Sequence, residues 1–469
     1  PPMLAALREQ VPQARFVHGA LDASLLEGAA YRAVFRIPGL TPAQTDAIER
    51  AAQTASLWVA GELALFIEGL RGLREQQGYA PQLLAVTGTN GKTTVTALTG
   101  HLLRRAGVPV AVAGNIGPTL LDTLGAALDA QSSGTPLPQV WVLELSSFQL
   151  EGVQGFEPHA ATVLNLSQDH LDWHGSMQAY AAAKARIFGQ QALMVLNRDD
   201  PLVMAMLPEP VKVKGGRLQQ RAHLGFGTGM PVHPGDYGLE TVNGMTWLVR
   251  AHETDETLKR RRDEEAELHI QRLMPAEALR IRGRHNATNA LAALALAAST
   301  GTPLAPMLHG LREYRGEPHR VEPVGIVREV EYFDDSKGTN VGATVAALEG
   351  LGGQRGLVVI MGGDGKGQDF APLAPAVARH ARAVVLIGRD APLIRTALQD
   401  TGVPLHDAAS MEDAVRACGS IAQLGDAVLM SPACASFDMF DNYPHRARVF
   451  RAAVTALAHE SGVDLEAGA

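Results

Sequence analysis

Val86-Thr-Gly-Thr-Asn-Gly-Lys-Thr-Thr94 is the stretch of this sequence best equipped to hold phosphate. Gly88 and Gly91 allow the backbone N–H groups of the loop, Thr89 and Asn90 included, to turn inward around phosphate oxygens. Lys92 adds a point charge, Thr93 offers a hydroxyl to magnesium, and Thr94 continues into the helix expected from Lys92 onward. The dipole of that helix adds to the anion site. Val86 stands where the strict G-x-x-x-x-G-K-[ST] pattern has its first glycine, so a generic motor or GTPase loop is not indicated.

Leu143-Glu-Leu-Ser-Ser-Phe-Gln149 places a carboxylate, Glu144, inside an otherwise apolar strand. Such a carboxylate is costly unless it is paired or bound to a cation. Magnesium held by one carboxylate, a loop threonine and nucleotide phosphates meets that need, and so does a structural lysine or a helix N-terminus. Leu164-Asn-Leu-Ser-Gln-Asp-His170 ends the next strand and brings Asp169 and His170 to the ligand-facing rim, His170 being a metal-ligand candidate or a hydrogen-bonded surface histidine. Lys184, on a helix, reads by itself as solvated charge. Arg282 and Arg284 precede His285-Asn-Ala-Thr-Asn289, whose amides could cap the Ala-rich helix that follows. Pro318-His-Arg320, Asp334-Asp-Ser-Lys-Gly-Thr-Asn340 and Gly362-Gly-Asp-Gly-Lys366 each combine flexible residues with a cation, and three such loops at one sheet edge suit an anionic ligand.

Two series of elements must position these loops. From Leu83 onward, short apolar runs alternate with helix-length stretches, and a second such series follows Arg320, which reads as α/β with mostly parallel sheets. Asp236 to Arg250 alternates around Asn243-Gly244, a hairpin signal, so a small antiparallel element is expected there. His252 to Arg272 is dense in charges of both signs and reads as a solvated insertion or helix face. Residues 1 to about 78 hold helical pieces and the turn-rich Arg36-Ile-Pro-Gly-Leu-Thr41, without a glycine fingerprint.

A length of 469 residues suggests about three domains. The net charge of -8 argues against a nucleic-acid binder, which needs surplus Lys and Arg to replace counterions. Two cysteines, Cys418 and Cys434, exclude a disulfide framework and a four-cysteine zinc site and fit a reducing compartment. No apolar run reaches the roughly 18 residues of a membrane span, and no secretory signal opens the chain.

Taken in order, GTNGKTT, AGNIG, ELSSFQL, LNLSQDHLDWHGS, AAKARIF, RGRHNATNALAA, GEPHR, DDSKGTN, GGDGKGQDF and SPACASFD resemble the Mur ligases from about Gly39 to the C-terminal helix. Within that family, the DDSKGTN and SPACAS loops resemble the D-glutamate-adding member. The resemblance implies an N-terminal Rossmann-like domain for the UDP moiety over residues 1–78, a central P-loop-type ATPase α/β domain over 79–316, and a C-terminal Rossmann-like α/β domain over 317–469 that closes over the site. It implies ATP and two Mg2+ ions as cofactors, with Thr93, Glu144, His170 and, if carbamylated, Lys184 as metal ligands. Lys92, Glu144, His170 and Lys184 would be the catalytic set, and Asn286, Arg320, Asp335 and Lys337 would reach ATP. Gly39 and Asn115 would touch the nucleotide-sugar, and Thr339, Lys366, Ser436, Phe437 and Tyr443 would line the glutamate pocket, Tyr443 standing where relatives can carry phenylalanine.

The implied reaction joins D-glutamate to UDP-N-acetylmuramoyl-L-alanine through an acyl phosphate, in the cytoplasm, by a monomer without nucleic-acid or membrane partners. Relatives open with a strand and a glycine-rich turn that cradles the UDP; no such motif precedes the first helical piece here, and truncation at the start is the expectation. Addition of L-glutamate or another acidic residue stays open, because a Thr, Lys and Ser pocket can hold either hand. A P-loop NTPase or kinase, or a non-catalytic nucleotide-binding module, accounts less well for Glu144 in its strand and for the cationic loops.

Overall fold

The computed structural model describes residues 7–27, 31–115, 117–212, 218–254, 267–353 and 355–463. Its centre is a six-stranded parallel sheet in the spatial order His223–Phe226, Leu193–Asn197, Ala160–Val163, Gln82–Thr87, Val140–Glu144, Val110–Gly114. Side chains alternate across it as the pleat requires. Leu84, Val86, Val140 and Val142 pack beneath the helices Lys92–Arg105 and Arg284–Ser299. Ala85, Trp141 and Leu143 face the opposite layer, which includes the helix Glu62–Gln77. With both faces covered, the strands read as apolar runs rather than alternating ones.

Trp141 is fully buried against Phe66, ring centroids 5.1 Å apart, and its Nε1 donates to the Tyr79 hydroxyl at 2.7 Å. Trp141→Ala is expected to lower stability by about 3–5 kcal/mol through the cavity it leaves, read by urea denaturation. The same contact ties the helix Glu62–Gln77, which the sequence alone groups with the N-terminal piece, into the core of the central sheet.

The second sheet also has six strands, ordered Glu322–Val327, Val330–Asp334, Ala427–Met430, Leu357–Gly362, Ala381–Ile387, Leu405–Asp407. The first two pair antiparallel and the rest parallel. Because the last strand in the chain lies between the second and third, the loops after Asp334, Gly362 and Met430 leave neighbouring strands at one carboxyl edge.

The hairpin expected at Asn243-Gly244 joins Tyr237–Val242 to Met245–Glu253, with both turn residues left-handed at φ 50° and 79°. A third strand, Leu268–Pro275, completes an antiparallel sheet. The charge-dense stretch falls largely outside the described residues. Its flanks are paired strands, His252 opposite His269, rather than a helix face.

Near the start, Ala33–Phe35 and Trp58–Ala60 form a two-stranded parallel sheet around the helix Pro42–Thr54. Sequence reading found only helices and a turn there, since three-residue strands are too short to show a period of two. Among the described residues no helix is long and apolar enough to cross a membrane.

Candidate active site

The strand Gln82–Thr87 runs into the phosphate-type loop, where Gly88 and Gly91 hold φ of 153° and 81°. A Cβ at Gly91 would lie 2.8 Å from Asn289 Oδ1, so the loop also needs glycine for close approach to the Ala-rich helix. Asn165, one strand over, fastens the loop from both sides: Asn90 N donates to its Oδ1 at 2.8 Å, and its Nδ2 donates to Asn90 O at 3.2 Å. Ser167 N donates to Thr89 Oγ1 at 3.0 Å. The strand end Leu164–His170 therefore shapes the loop as well as supplying Asp169 and His170.

Lys92 Nζ donates to the carbonyls of Gly88 and Thr89, both at 2.9 Å. Lys184 Nζ donates to the same Gly88 carbonyl at 2.9 Å and to Thr87 Oγ1 at 3.2 Å, and lies 4.7 Å from the Tyr180 ring centre. Lys184 is buried, not solvated as its sequence context suggests. Burial holds both ammonium groups below the usual lysine range; the charge of Lys92 pushes Lys184 further down, while Glu144 and Asp169 oppose the shift at each.

Glu144 ends its strand 2% exposed, and Asn115 Nδ2, at 3.2 Å, is its single side-chain hydrogen-bond donor among the described residues. A Cβ at Gly114 would run into the Glu144 carbonyl, which also accepts from Asn115 N at 2.8 Å, so the AGN turn is moulded on this carboxylate's backbone. His170 is left-handed at φ 54°, with Nε2 3.5 Å from Asp169 Oδ2 and its ring 4.7 Å from Phe148. Burial lowers its pKa, the charge of Asp169 opposes the shift, and the charges of Lys366, Lys92 and Lys184 act with burial.

Side chains reach the phosphate-type loop from the second sheet's domain. Arg320 Nη2 donates to Thr93 Oγ1 at 2.8 Å, and Asn340 Nδ2 to Asn90 Oδ1 at 3.1 Å. Between the two domains lies a cavity of about 300 Å³ lined by Asn90, Gly91, Asn286, Asn289, Asp335 and Lys337. Lys337 Nζ lies 4.0 Å from the Tyr443 ring centre, and burial pushes its pKa down to about 8. Asp335 accepts from Ser431 Oγ at 2.7 Å. Burial pushes its carboxyl up to about 7.

A carboxyl raised in the folded state favours folding fully below its unfolded pKa and loses that advantage as pH climbs to the folded value. Stability is accordingly expected to decline between about pH 4 and 7, and Asp335→Asn to flatten the decline, as read from chemical denaturation at a series of pH values.

Thr339, half-buried, donates from its N to Lys337 O at 2.8 Å. Ser436 is buried, and its carbonyl accepts from Phe440 N at 2.8 Å. Lys366 is exposed and left-handed at φ 51°, near enough for its charge to act on His170. Among the described residues no hydrogen bond joins Gly39 or the 71%-exposed Phe437 to this cluster; next to Gly39, Leu40 O accepts from Trp173 Nε1 at 3.2 Å.

Sequence reading missed Arg446, which lies in a helix where it looks like surface charge. It is fully buried and donates to Ser336 O at 2.8 Å and Cys434 O at 3.1 Å, tying together two of the converging loops. Arg446→Met, which leaves both carbonyls unpaired, is expected to cost about 2–4 kcal/mol of stability, measurable by thermal denaturation.

Residues 86–224 match the model of the Mur ligase middle domain and residues 319–434 that of the Mur ligase glutamate ligase domain. Across all of this chain and 92% of its own length, a UDP-N-acetylmuramoylalanine--D-glutamate ligase of Albidiferax ferrireducens is 65% identical. The chain belongs to the Mur ligase family. A ligase of the same name from Polaromonas sp. is 57% identical over 99% of this chain and 93% of its own length.

Among solved Mur ligases, the UDP-N-acetylmuramate-alanine ligase of Thermotoga maritima shares the fold at a TM-score of 0.55 and 21% identity, covering 93% of this chain and 88% of that one. A Thermotoga maritima MurF ligase solved in complex with ADP does so at 0.57 and 17% identity, over 86% of each chain. These two likenesses carry the fold alone.

The donor set suits magnesium: Glu144 is a buried carboxylate with one side-chain donor among the described residues, and Thr93 offers a hydroxyl oxygen, which here accepts from Arg320. Among the described residues, a different trio, His319, Glu322 and Asp334, brings three His or carboxylate ligand atoms within 4.8 Å. Arg451 already pairs with Glu322 at 2.5 Å and sits 3.5 Å from Asp334, and His319 Nδ1 lies 2.7 Å from Asp334, so the trio's ligand atoms are engaged with one another and with an arginine.

Proposed function

We infer that this chain uses ATP to join D-glutamate to UDP-N-acetylmuramoyl-L-alanine, releasing ADP and phosphate. The observation that carries the reading is the 65% identity, over the whole chain, to a ligase bearing that name, together with a phosphate-type loop faced by Arg320 and Asn340 across the domain boundary.

A carboxylate is a poor acylating agent. The L-alanyl carboxylate therefore first takes the γ-phosphoryl group of ATP, and the glutamate amine then displaces phosphate from the acyl phosphate. Gly88 to Thr94 cradle the ATP phosphates, and Lys92 leaves its two carbonyls to neutralise charge on the group in transfer. Arg320, Asp335, Lys337 and Asn286 hold the nucleotide from the cavity walls.

Thr93, Glu144, His170 and a carbamylated Lys184 would hold two Mg2+ ions, which offset phosphate charge when bound. Carbamylation turns Lys184 from a buried amine into an anionic oxygen ligand, and an amine kept well below its usual pKa is a nucleophile for that change. Asn115 and Gly39 contact the nucleotide-sugar, and Thr339, Lys366, Ser436, Phe437 and Tyr443 receive glutamate. The N-terminal domain ends before the helix Glu62–Gln77, which packs into the central core, the central domain runs to about residue 316, and the protein works as a cytoplasmic monomer.

The test is phosphate release by purified protein offered the muramyl nucleotide with a panel of D- and L-amino acids. Release that requires both the muramyl nucleotide and D-glutamate supports the reading. Release without an acceptor, or preference for L-glutamate, overturns it.

A further inference from the structure

Arg282 and Arg284 have no task in the ligase reaction, and Arg280 makes them a set of three. They stand at alternate positions of an irregular segment that turns at Gly283 (φ 97°) into the helix Arg284–Ser299; Ile281 between them is buried, and all three arginines are exposed. Among the described residues each is held only by backbone carbonyls. Arg280 Nε donates to Arg312 O at 3.1 Å, Arg282 Nη1 to Glu277 O at 3.4 Å and Leu279 O at 3.5 Å, and Arg284 Nη2 to Thr228 O at 3.1 Å. No carboxylate pairs with any of the three among the described residues. A guanidinium carries five N–H donors, so most of this capacity stays open.

All three line a groove of about 1160 Å³ between the central domain and the second sheet's domain, continuous with the nucleotide cavity through Asn286 and Arg320. Seven arginines line the groove against four carboxylates, of which Glu331 pairs with Arg355 at 2.7 Å, Glu322 pairs with Arg451 at 2.5 Å, Glu317 accepts from the Tyr314 hydroxyl at 2.8 Å and Glu277 accepts from Thr246 N at 3.3 Å. The groove therefore keeps a positive excess on a protein of net charge -8.

We propose that this groove is a second anion site, distinct from the phosphate-type loop, for a small molecule carrying several phosphate groups. Planar guanidinium forks match phosphate oxygens two at a time. One phosphate is matched by one or two guanidinium forks, so a chain of phosphates suits a set of three arginines better than a single phosphate does. Nucleic acid fits poorly, because the negative net charge repels a long polyanion beyond the groove.

Inorganic tripolyphosphate serves as the probe, titrated calorimetrically in metal-free buffer into the wild-type chain, Lys92→Ala and the triple variant Arg280→Ala/Arg282→Ala/Arg284→Ala. Two sites are expected on the wild type: Lys92→Ala weakens one, and the triple variant weakens the other by about tenfold or more. Turnover of the triple variant with saturating ATP stays at the wild-type level. Should alanine at the three positions prevent folding, the triple Arg→Gln variant, which keeps amide donors for the carbonyls, carries the test. A single site abolished by Lys92→Ala, or unchanged two-site binding by the triple variant, overturns the proposal.

Discussion

Lys92→Ala is expected to lower ligase turnover by about three orders of magnitude or more, the scale on which removal of a charge-stabilising group acts in phosphoryl transfer. In the unliganded loop the ammonium rests on the carbonyls of Gly88 and Thr89, contacts that need no phosphate. Burial lowers its pKa, so incoming phosphate gains a cation already stripped of most of its water. The fold should survive the change, because the loop is also held by Asn165 and Ser167. Phosphate release at saturating substrates, with a melting curve as control, reads the outcome. Near-wild-type release from a folded variant would remove Lys92 from the reaction.

Glu144→Gln is expected to cut turnover by about two to three orders of magnitude while leaving the melting temperature unchanged or raised. The carboxylate is buried with one amide as its side-chain hydrogen-bond donor among the described residues, which leaves acceptor capacity for a cation. Glutamine keeps the shape and removes the charge. Magnesium titrations of activity should shift to higher concentration in the variant, whereas a purely structural carboxylate would lower the melting temperature and leave the magnesium profile alone. That second pattern would discard the metal-ligand role.

The residues that carry these effects were legible because their chemistry is local. A strand, two glycines and Gly-Lys-Thr-Thr at a helix start announce a phosphate loop wherever they occur, and Glu144 is conspicuous as a carboxylate in an apolar run. Asn243-Gly244 likewise named its own turn, since few residue pairs tolerate two left-handed positions. By contrast, Arg446 and Lys184 look like helix-surface charge, and their burial depends on neighbours 110 and 97 residues away in the chain.

By itself, then, the sequence determined the parallel α/β class, the phosphate loop and the order of the converging loops, because these follow from short-range periodicity and turn chemistry. The tertiary structure alone decided that Asn165 clasps the loop, that Arg320 and Asn340 reach it from another domain, and that the last strand enters the middle of the second sheet. Those facts rest on pairings between distant segments, for which no local pattern of residues carries a signal.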